Sequence, residues 1–233
     1  MDINLVSCRG LTKTYGKVHA LSSCDIELRS GRITGLMGPC GSGKTTLIKL
    51  IAGLLTPNDG IVSVLGHTVG AETKAMVSYL PERTYFDRYM KVSECMDLFS
   101  DFYEDFDSKR AGDLMDKLHV PLNSRFSKLS KGTCEKVQLV LVMSRRAKLY
   151  LLDEPIGGVD PAARSFILDT ILSNQGDDAA ILISTHLIQD IENIVDDAIF
   201  LSDGRVVMHD TADNIRAKFN MSLNELFREA FKC

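Results

Sequence analysis

Gly38-Pro39-Cys40-Gly41-Ser42-Gly43-Lys44-Thr45 is the stretch on which the reading of this chain turns. A short apolar run from Arg32 to Met37, bounded by glycines, leads into it. From Lys44 to Leu55 the residues Leu47, Ile48, Leu50, Ile51 and Leu54 then recur at helical spacing. Strand, glycine-rich turn and helix together form the setting in which the pattern G-x-x-x-x-G-K-[ST] cradles phosphate. The glycines let successive backbone N–H groups turn inward on phosphate oxygens, and the helix N-terminus adds its partial positive charge. In that setting Lys44 is expected to reach the β- and γ-phosphates of a nucleotide, and the Thr45 hydroxyl to ligate Mg²⁺. Gly38, Pro39, Cys40, Gly41, Ser42, Gly43, Lys44, Thr45 and Thr46 are the expected nucleotide-binding set of this segment.

A second stretch supports the first. Leu149-Tyr150-Leu151-Leu152-Asp153-Glu154 reads as a buried strand that delivers two acids at its C-terminal end. In an open α/β sheet that end borders the ligand crevice. Asp153 suits an acceptor on the Mg²⁺ side, and Glu154 suits the base that polarises an attacking water. Ser130, in Leu129-Ser130-Lys131-Gly132-Thr133, is expected to cap the helix that follows. Ser184-Thr185-His186 closes a further apolar strand and puts a histidine at the same sheet edge as Asp153.

Outward from these motifs the chain alternates strands and helices. Cys24 to Leu28 alternates cleanly, and Pro57-Asn58-Asp59-Gly60 marks a turn into a strand at Ile61 to Leu65. Val92–Tyr103 and Ser108–Leu118 carry helical periodicity, and Val137 to Met143 is nearly all apolar. After Leu149 the pattern predicts a helix at Pro161–Leu172, a strand at Ala180–Ser184, a helix at Leu187–Val195, strands at Ala198–Leu201 and Arg205–His209, and an amphipathic tail. This is an α/β chain with a largely parallel sheet, interrupted by a helical insert at about 92–147.

Composition bounds the rest. At 233 residues and 45% apolar, the chain is long enough for a substantial core, and its formal net charge of −4 speaks against broad capture of nucleic acid. Six scattered cysteines without CxxC spacing read as reduced thiols rather than a zinc site or disulfide framework. No apolar run approaches the length of a membrane span, and the N-terminus has no positively charged signal-peptide region. A cytoplasmic protein that binds no nucleic acid is the expectation.

The order and spacing of the motifs resemble those of the ATP-binding subunit of ABC transporters, over essentially the whole chain. Lys44 precedes Glu82 by 38 residues and Ser130 by 86; Ser130 precedes Asp153 by 23, and Glu154 precedes His186 by 32. The resemblance implies a P-loop NTPase: a RecA-like core with an N-terminal antiparallel β subdomain and an inserted α-helical subdomain. It implies ATP and Mg²⁺ as cofactors, Lys44, Glu154 and His186 as the catalytic set, and Thr45, Asp153 and Glu82 around the metal. Tyr15 is then similar to the aromatic that stacks on adenine. Ser130 and Gly132 resemble the signature residues that contact the γ-phosphate held by a partner subunit, and Gly157-Gly158-Val159-Asp160 resembles the D-loop between subunits. The implied partners are a second ATP-binding subunit, identical or related, and a polytopic permease that holds this chain at the inner face of the membrane. Arg83 to Met90, with Tyr85, Phe86 and Tyr89, matches the segment that receives a cytoplasmic helix of that permease.

Three departures stand out. The signature reads Leu-Ser-Lys-Gly-Thr rather than LSGGQ, the D-loop carries Gly157 and Val159 where Ser and Leu are usual, and Tyr79-Leu80-Pro81-Glu82 puts an acid where the Q-loop has glutamine. The Tyr-x-Pro-Glu and Ser-Lys-Gly forms resemble the bacterial antibiotic- and peptide-export branch. The alternative is a soluble ABC ATPase outside transport, such as an iron–sulfur assembly protein.

Overall fold

The computed structural model describes residues 4–157, 159, 161–173 and 178–231. Two long strands, β1 (Asn4–Tyr15) and β2 (Val18–Arg29), form an antiparallel hairpin. With β4 (Asp59–Val64) and β5 (His67–Thr68) they make a four-stranded sheet in the order β2-β1-β4-β5. Both hairpin strands are much longer than the alternation of their sequence suggests. Their register shifts at several points, one of them between Cys8 and Leu11. Each irregularity offsets the inward-facing positions and breaks the period of two that marks a strand.

The second sheet has six strands in the order β10-β9-β3-β8-β7-β6. β3 (Ile33–Met37), β6 (Val77–Leu80), β7 (Leu149–Asp153), β8 (Ala180–Thr185) and β9 (Asp197–Ser202) run parallel, and β10 (Arg205–Thr211) pairs antiparallel with β9. Every residue of β3, β7 and β8 is buried, as a sheet covered on both faces requires. β6 and the short helix α2 (Ala71–Met76) before it carry no period that reads from sequence.

Helix α1 (Lys44–Ile51) stops four residues before the expected Leu55. Gly53, at φ +70°, takes the left-handed conformation that ends it. The N–H of Leu54 donates to Lys49 O and that of Gly53 to Leu50 O, the paired bonds of a Schellman motif. The helix expected at Leu187–Val195 shrinks to α7 (Ile188–Ile191). Its continuation turns so that Asp196 can accept from Ile33 N and Asp197 can enter β9.

The remaining helices are α3 (Val92–Phe102), α4 (Ser108–Lys117), α5 (Lys131–Met143), α6 (Pro161–Leu172), α8 (Ala212–Phe219) and α9 (Leu223–Phe231). The apolar run Val137–Met143 is thus helical. A separate apolar cluster joins α3, α4 and α5 through Val92, Cys95, Phe99, Ala111, Met115 and Val137. Three further residues of α5, Leu139, Val142 and Met143, turn instead into the core of the parallel sheet. In the tail, Ile215, Leu223, Leu226 and Phe227 are buried against that same core, and Phe227 and Phe231 pack on Phe200. Among the described residues no helix is long and apolar enough to cross a membrane.

Candidate functional site

The carboxyl ends of β3, β8 and β7 lie side by side, with Met37 opposite Thr185 and Asp153 opposite Ser184. Chain order therefore brings the Gly38–Thr45 loop, the Asp153–Glu154 pair and Ser184–His186 to one sheet edge. A cleft of about 880 Å³ opens there.

The loop forms the cleft floor. Gly43, at φ +108°, is the N-cap of α1 and offers no side chain to the first turn, which also holds no acid. The N-terminal N–H groups of α1 are therefore left for an anion. An added Cβ at Gly43 would sit 2.4 Å from Ala20 O, so the position admits no other residue without a backbone shift. The Lys44 ammonium is buried under the loop, donating to Gly38 O at 2.7 Å and Pro39 O at 3.1 Å, and stands 4.0 Å from Glu154 Oε1. Cys40, Gly41, Gly43, Lys44, Thr45 and Thr46 line the cleft; Gly38, Pro39 and Ser42 shape the loop behind it.

Asp153 lies beneath this floor, almost wholly buried. Its Oδ1 accepts from Ser184 Oγ at 2.6 Å and from Thr45 Oγ1 at 3.2 Å, while Oδ2 is enclosed without a partner among the described residues. Burial raises the Asp153 pKa above the usual carboxylate value. The bonds from Ser184 and Thr45 oppose that rise, the Glu82 charge adds to it, and the Lys49 charge works against it. Glu154 follows at φ +52°, a left-handed conformation that costs a non-glycine residue about 1–2 kcal/mol. Its N–H is fixed by Ser184 O at 3.1 Å and Ser184 Oγ at 3.0 Å. This turn swings the carboxylate back over the loop, where His186 Nδ1 meets Glu154 Oε2 at 2.9 Å. The structure thus brings together Lys44, Thr45, Asp153, Glu154 and His186.

Glu82 is exposed on the cleft wall beside Arg83 and Thr84. Ser130 caps α5 as its sequence suggests, its Oγ accepting from Thr133 N at 3.1 Å. Neither Ser130 nor Gly132 borders the cleft of its own chain; the neighbouring Lys131 and Glu135 do. Tyr15 is also outside the cleft wall. The hairpin turns after it, so that Val18, His19 and Ala20 of β2 line the cleft instead, while Lys13 Nζ sits 5.5 Å from the Tyr15 ring centre. Gly157 lines the cleft, whereas Gly158 and Asp160 of the expected D-loop lie outside the described residues.

Comparison with known proteins agrees with this geometry. The family described as "ABC transporter" matches residues 21–157, more than half of the chain. The chain belongs to the ABC transporter family. A solved ATP-binding subunit of an ABC transporter is 30% identical and superimposes with a TM-score of 0.88 over 97% of this chain and 98% of that one. An uncharacterized ABC transporter ATP-binding protein of Nostoc is 30% identical over 88% of this chain, which spans 63% of that relative's length. A daunorubicin resistance ATP-binding protein, DrrA3 of Streptomyces coeruleorubidus, is 27% identical over 91% of this chain and 70% of its own length. This ABC cassette is therefore a P-loop ATPase in fold and class, with the expected antiparallel β sheet before and beside its parallel core.

Sequence reasoning gave Ser184 no role, although it ties Asp153 to the Glu154 backbone. Its place directly opposite Asp153 follows from strand pairing, which no motif reports.

Proposed function

We propose that this cassette is the ATP-hydrolysing motor of a membrane transporter, one of two such subunits acting on a separate polytopic permease at the cytoplasmic face. The cargo, an antibiotic or peptide, moves outward. One observation carries the reading: Glu154 stands over the phosphate loop, held by His186 at 2.9 Å and facing the Lys44 ammonium at 4.0 Å. A carboxylate so placed can take the proton of a water attacking the γ-phosphate. His186 keeps it oriented, and Lys44 offsets charge on the β- and γ-phosphates.

The unpartnered, buried Asp153 Oδ2 beside the Thr45 hydroxyl is a donor set suited to a hard cation and its waters. Thr45 and Asp153 would hold Mg²⁺, with Glu82 at the cleft wall. Bound Mg²⁺ draws charge from the phosphate oxygens. Tyr15, at the end of β1, is the aromatic that would stack on the adenine. That Ser130 and Gly132 stand away from their own cleft supports their meeting the γ-phosphate of a partner cassette. The stretch of about 92–147 serves as the helical subdomain of this single cassette.

A groove of about 470 Å³, walled by Ala52, Leu54, Val77, Pro81, Tyr85 and Tyr103, supports the permease contact. Tyr85 on that wall and Tyr89 are exposed, whereas Phe86 turns inward onto Phe99 and Phe126. The Tyr-x-Pro-Glu and Ser-Lys-Gly forms, with the likeness to a drug-resistance protein, support export. Glu154→Gln keeps shape and loses the base, so it is expected to bind ATP, persist as an ATP-bridged dimer in size-exclusion chromatography, and hydrolyse almost none. Wild-type turnover by that variant would remove Glu154 from the reaction.

A further inference from the structure

Asp153 Oδ2 is not alone in lacking a partner. Tyr79 Oη, on the neighbouring strand, is also enclosed and unpartnered among the described residues. Tyr79 of β6 pairs with Leu151 of β7, two positions before Asp153. Side chains two apart on a strand share a face, so Tyr79 and Asp153 project from the same side of the sheet. Lys49 of α1 stands on that side too, its charge acting on Asp153, and it lines the same groove as Tyr79. Burial first, then the charges of Asp153 and Glu82, hold the Tyr79 phenol above its ordinary pKa. The hydroxyl therefore keeps its proton and can only gain from a nearby acceptor.

Buried polar atoms in folded proteins are almost always bonded, directly or through water. We propose that the Tyr79 hydroxyl is a positioning donor for Asp153, supplying through one bridging water the hydrogen bond that Oδ2 does not receive from protein. Oδ1 is already tethered by Ser184 and Thr45. A tether on Oδ2 stops the carboxylate from rotating about its remaining bond. A carboxylate oxygen carries two lone pairs, so Oδ2 still has one to offer the magnesium side. The inference rests on the reading of Asp153 as the acid on that side.

Tyr79→Phe tests it, because the ring and its packing stay and only the hydroxyl goes. ATP is titrated calorimetrically into the full chain with Mg²⁺ and with EDTA, for wild type, Tyr79→Phe, Asp153→Asn and the double variant. Thermal unfolding without nucleotide checks that each variant is folded. The Mg²⁺-dependent gain in ATP affinity is expected to fall about tenfold in Tyr79→Phe, as for other residues that orient metal-site ligands. Affinity in EDTA should hold, and the double variant should lose no more than Asp153→Asn alone. Equal loss with and without Mg²⁺, or a lowered melting temperature with the Mg²⁺ gain intact, would reduce Tyr79 to packing and overturn the proposal. If Asp153→Asn lost the gain while Tyr79→Phe kept it, the Tyr79 inference alone would fall. An intact gain in Asp153→Asn would overturn the Asp153 reading beneath it.

Discussion

Ser184→Ala probes the site at its most economical point. The side chain is fully buried and makes two bonds: its Oγ donates to Asp153 Oδ1 at 2.6 Å and accepts from Glu154 N at 3.0 Å. The second bond is largely redundant, because the Glu154 N–H also reaches Ser184 O at 3.1 Å. The first is not, since among the described residues Thr45 at 3.2 Å is the only other donor to Asp153. A hydrogen bond to a charged group contributes about 1.5–3 kcal/mol. Part of that is recovered because Asp153, already raised in pKa by burial, takes up a proton more readily once Ser184 no longer opposes the rise. Fold stability should therefore drop by only about 1–2 kcal/mol in urea unfolding. Metal binding has no such escape, since it needs the carboxylate ionised and aimed. Affinity for ATP with Mg²⁺ should fall about tenfold or more, and affinity in EDTA should barely change. The sign with pH follows: a proton held more tightly is lost only at higher pH, so the deficit should be larger at pH 6 than at pH 8. Calorimetric titration at both pH values decides. Equal Mg²⁺-ATP affinity in variant and wild type at both would refute the role given to Asp153 and its tethers.

Lys44→Ala removes the ammonium under the phosphate loop and the clamp it makes on Gly38 O and Pro39 O. ATP affinity should fall at least about tenfold, about 1.4 kcal/mol, and an unchanged calorimetric isotherm would contradict the site. Cys40 is exposed on the cleft floor, whereas burial pushes the thiols of Cys8 and Cys95 up to about 12. A maleimide should label Cys40 before either, ATP should slow that labelling, and equal rates with and without ATP would count against its placement. Tyr85→Ala with Tyr89→Ala should leave ATP binding near wild type and weaken co-purification with the proposed permease; normal assembly and transport would sink the groove assignment. Asp107 caps α4, accepting from Arg110 N at 2.9 Å with Arg146 beside it, and these partners hold its carboxyl below the ordinary 3.8. Asp107→Ala should cost about 1 kcal/mol. Because the folded-state pKa is lowered, that contribution is present above pH 3.8 and disappears as pH falls below it. Acid titration of both proteins by circular dichroism should show the gap closing.

What could be read from the sequence was local. The phosphate loop, the strand ending in Asp153–Glu154, the Ser130 cap and the His186 strand end each depend on residues adjacent in the chain. All of them stand where those residues put them. The long hairpin and β6 were hidden, because register shifts and a four-residue length erase the alternation that marks a strand. The same distinction divides the site. Nothing local prescribes φ +52° at Glu154, a residue type that rarely takes it. Ser184 imposes it from the neighbouring strand, 30 positions on, by gripping the Glu154 N–H with both carbonyl and hydroxyl. Tyr79 and Asp153 share a face of the sheet only because β6 pairs with β7 across the helical stretch that separates them in the chain. The charged groups of this site are therefore legible as motifs, together with the Thr45 hydroxyl, while the hydroxyls of Ser184 and Tyr79 are placed by strand pairing. Loss of Ser184 or Tyr79 should for that reason weaken the use of Mg²⁺ before it weakens the hold on nucleotide.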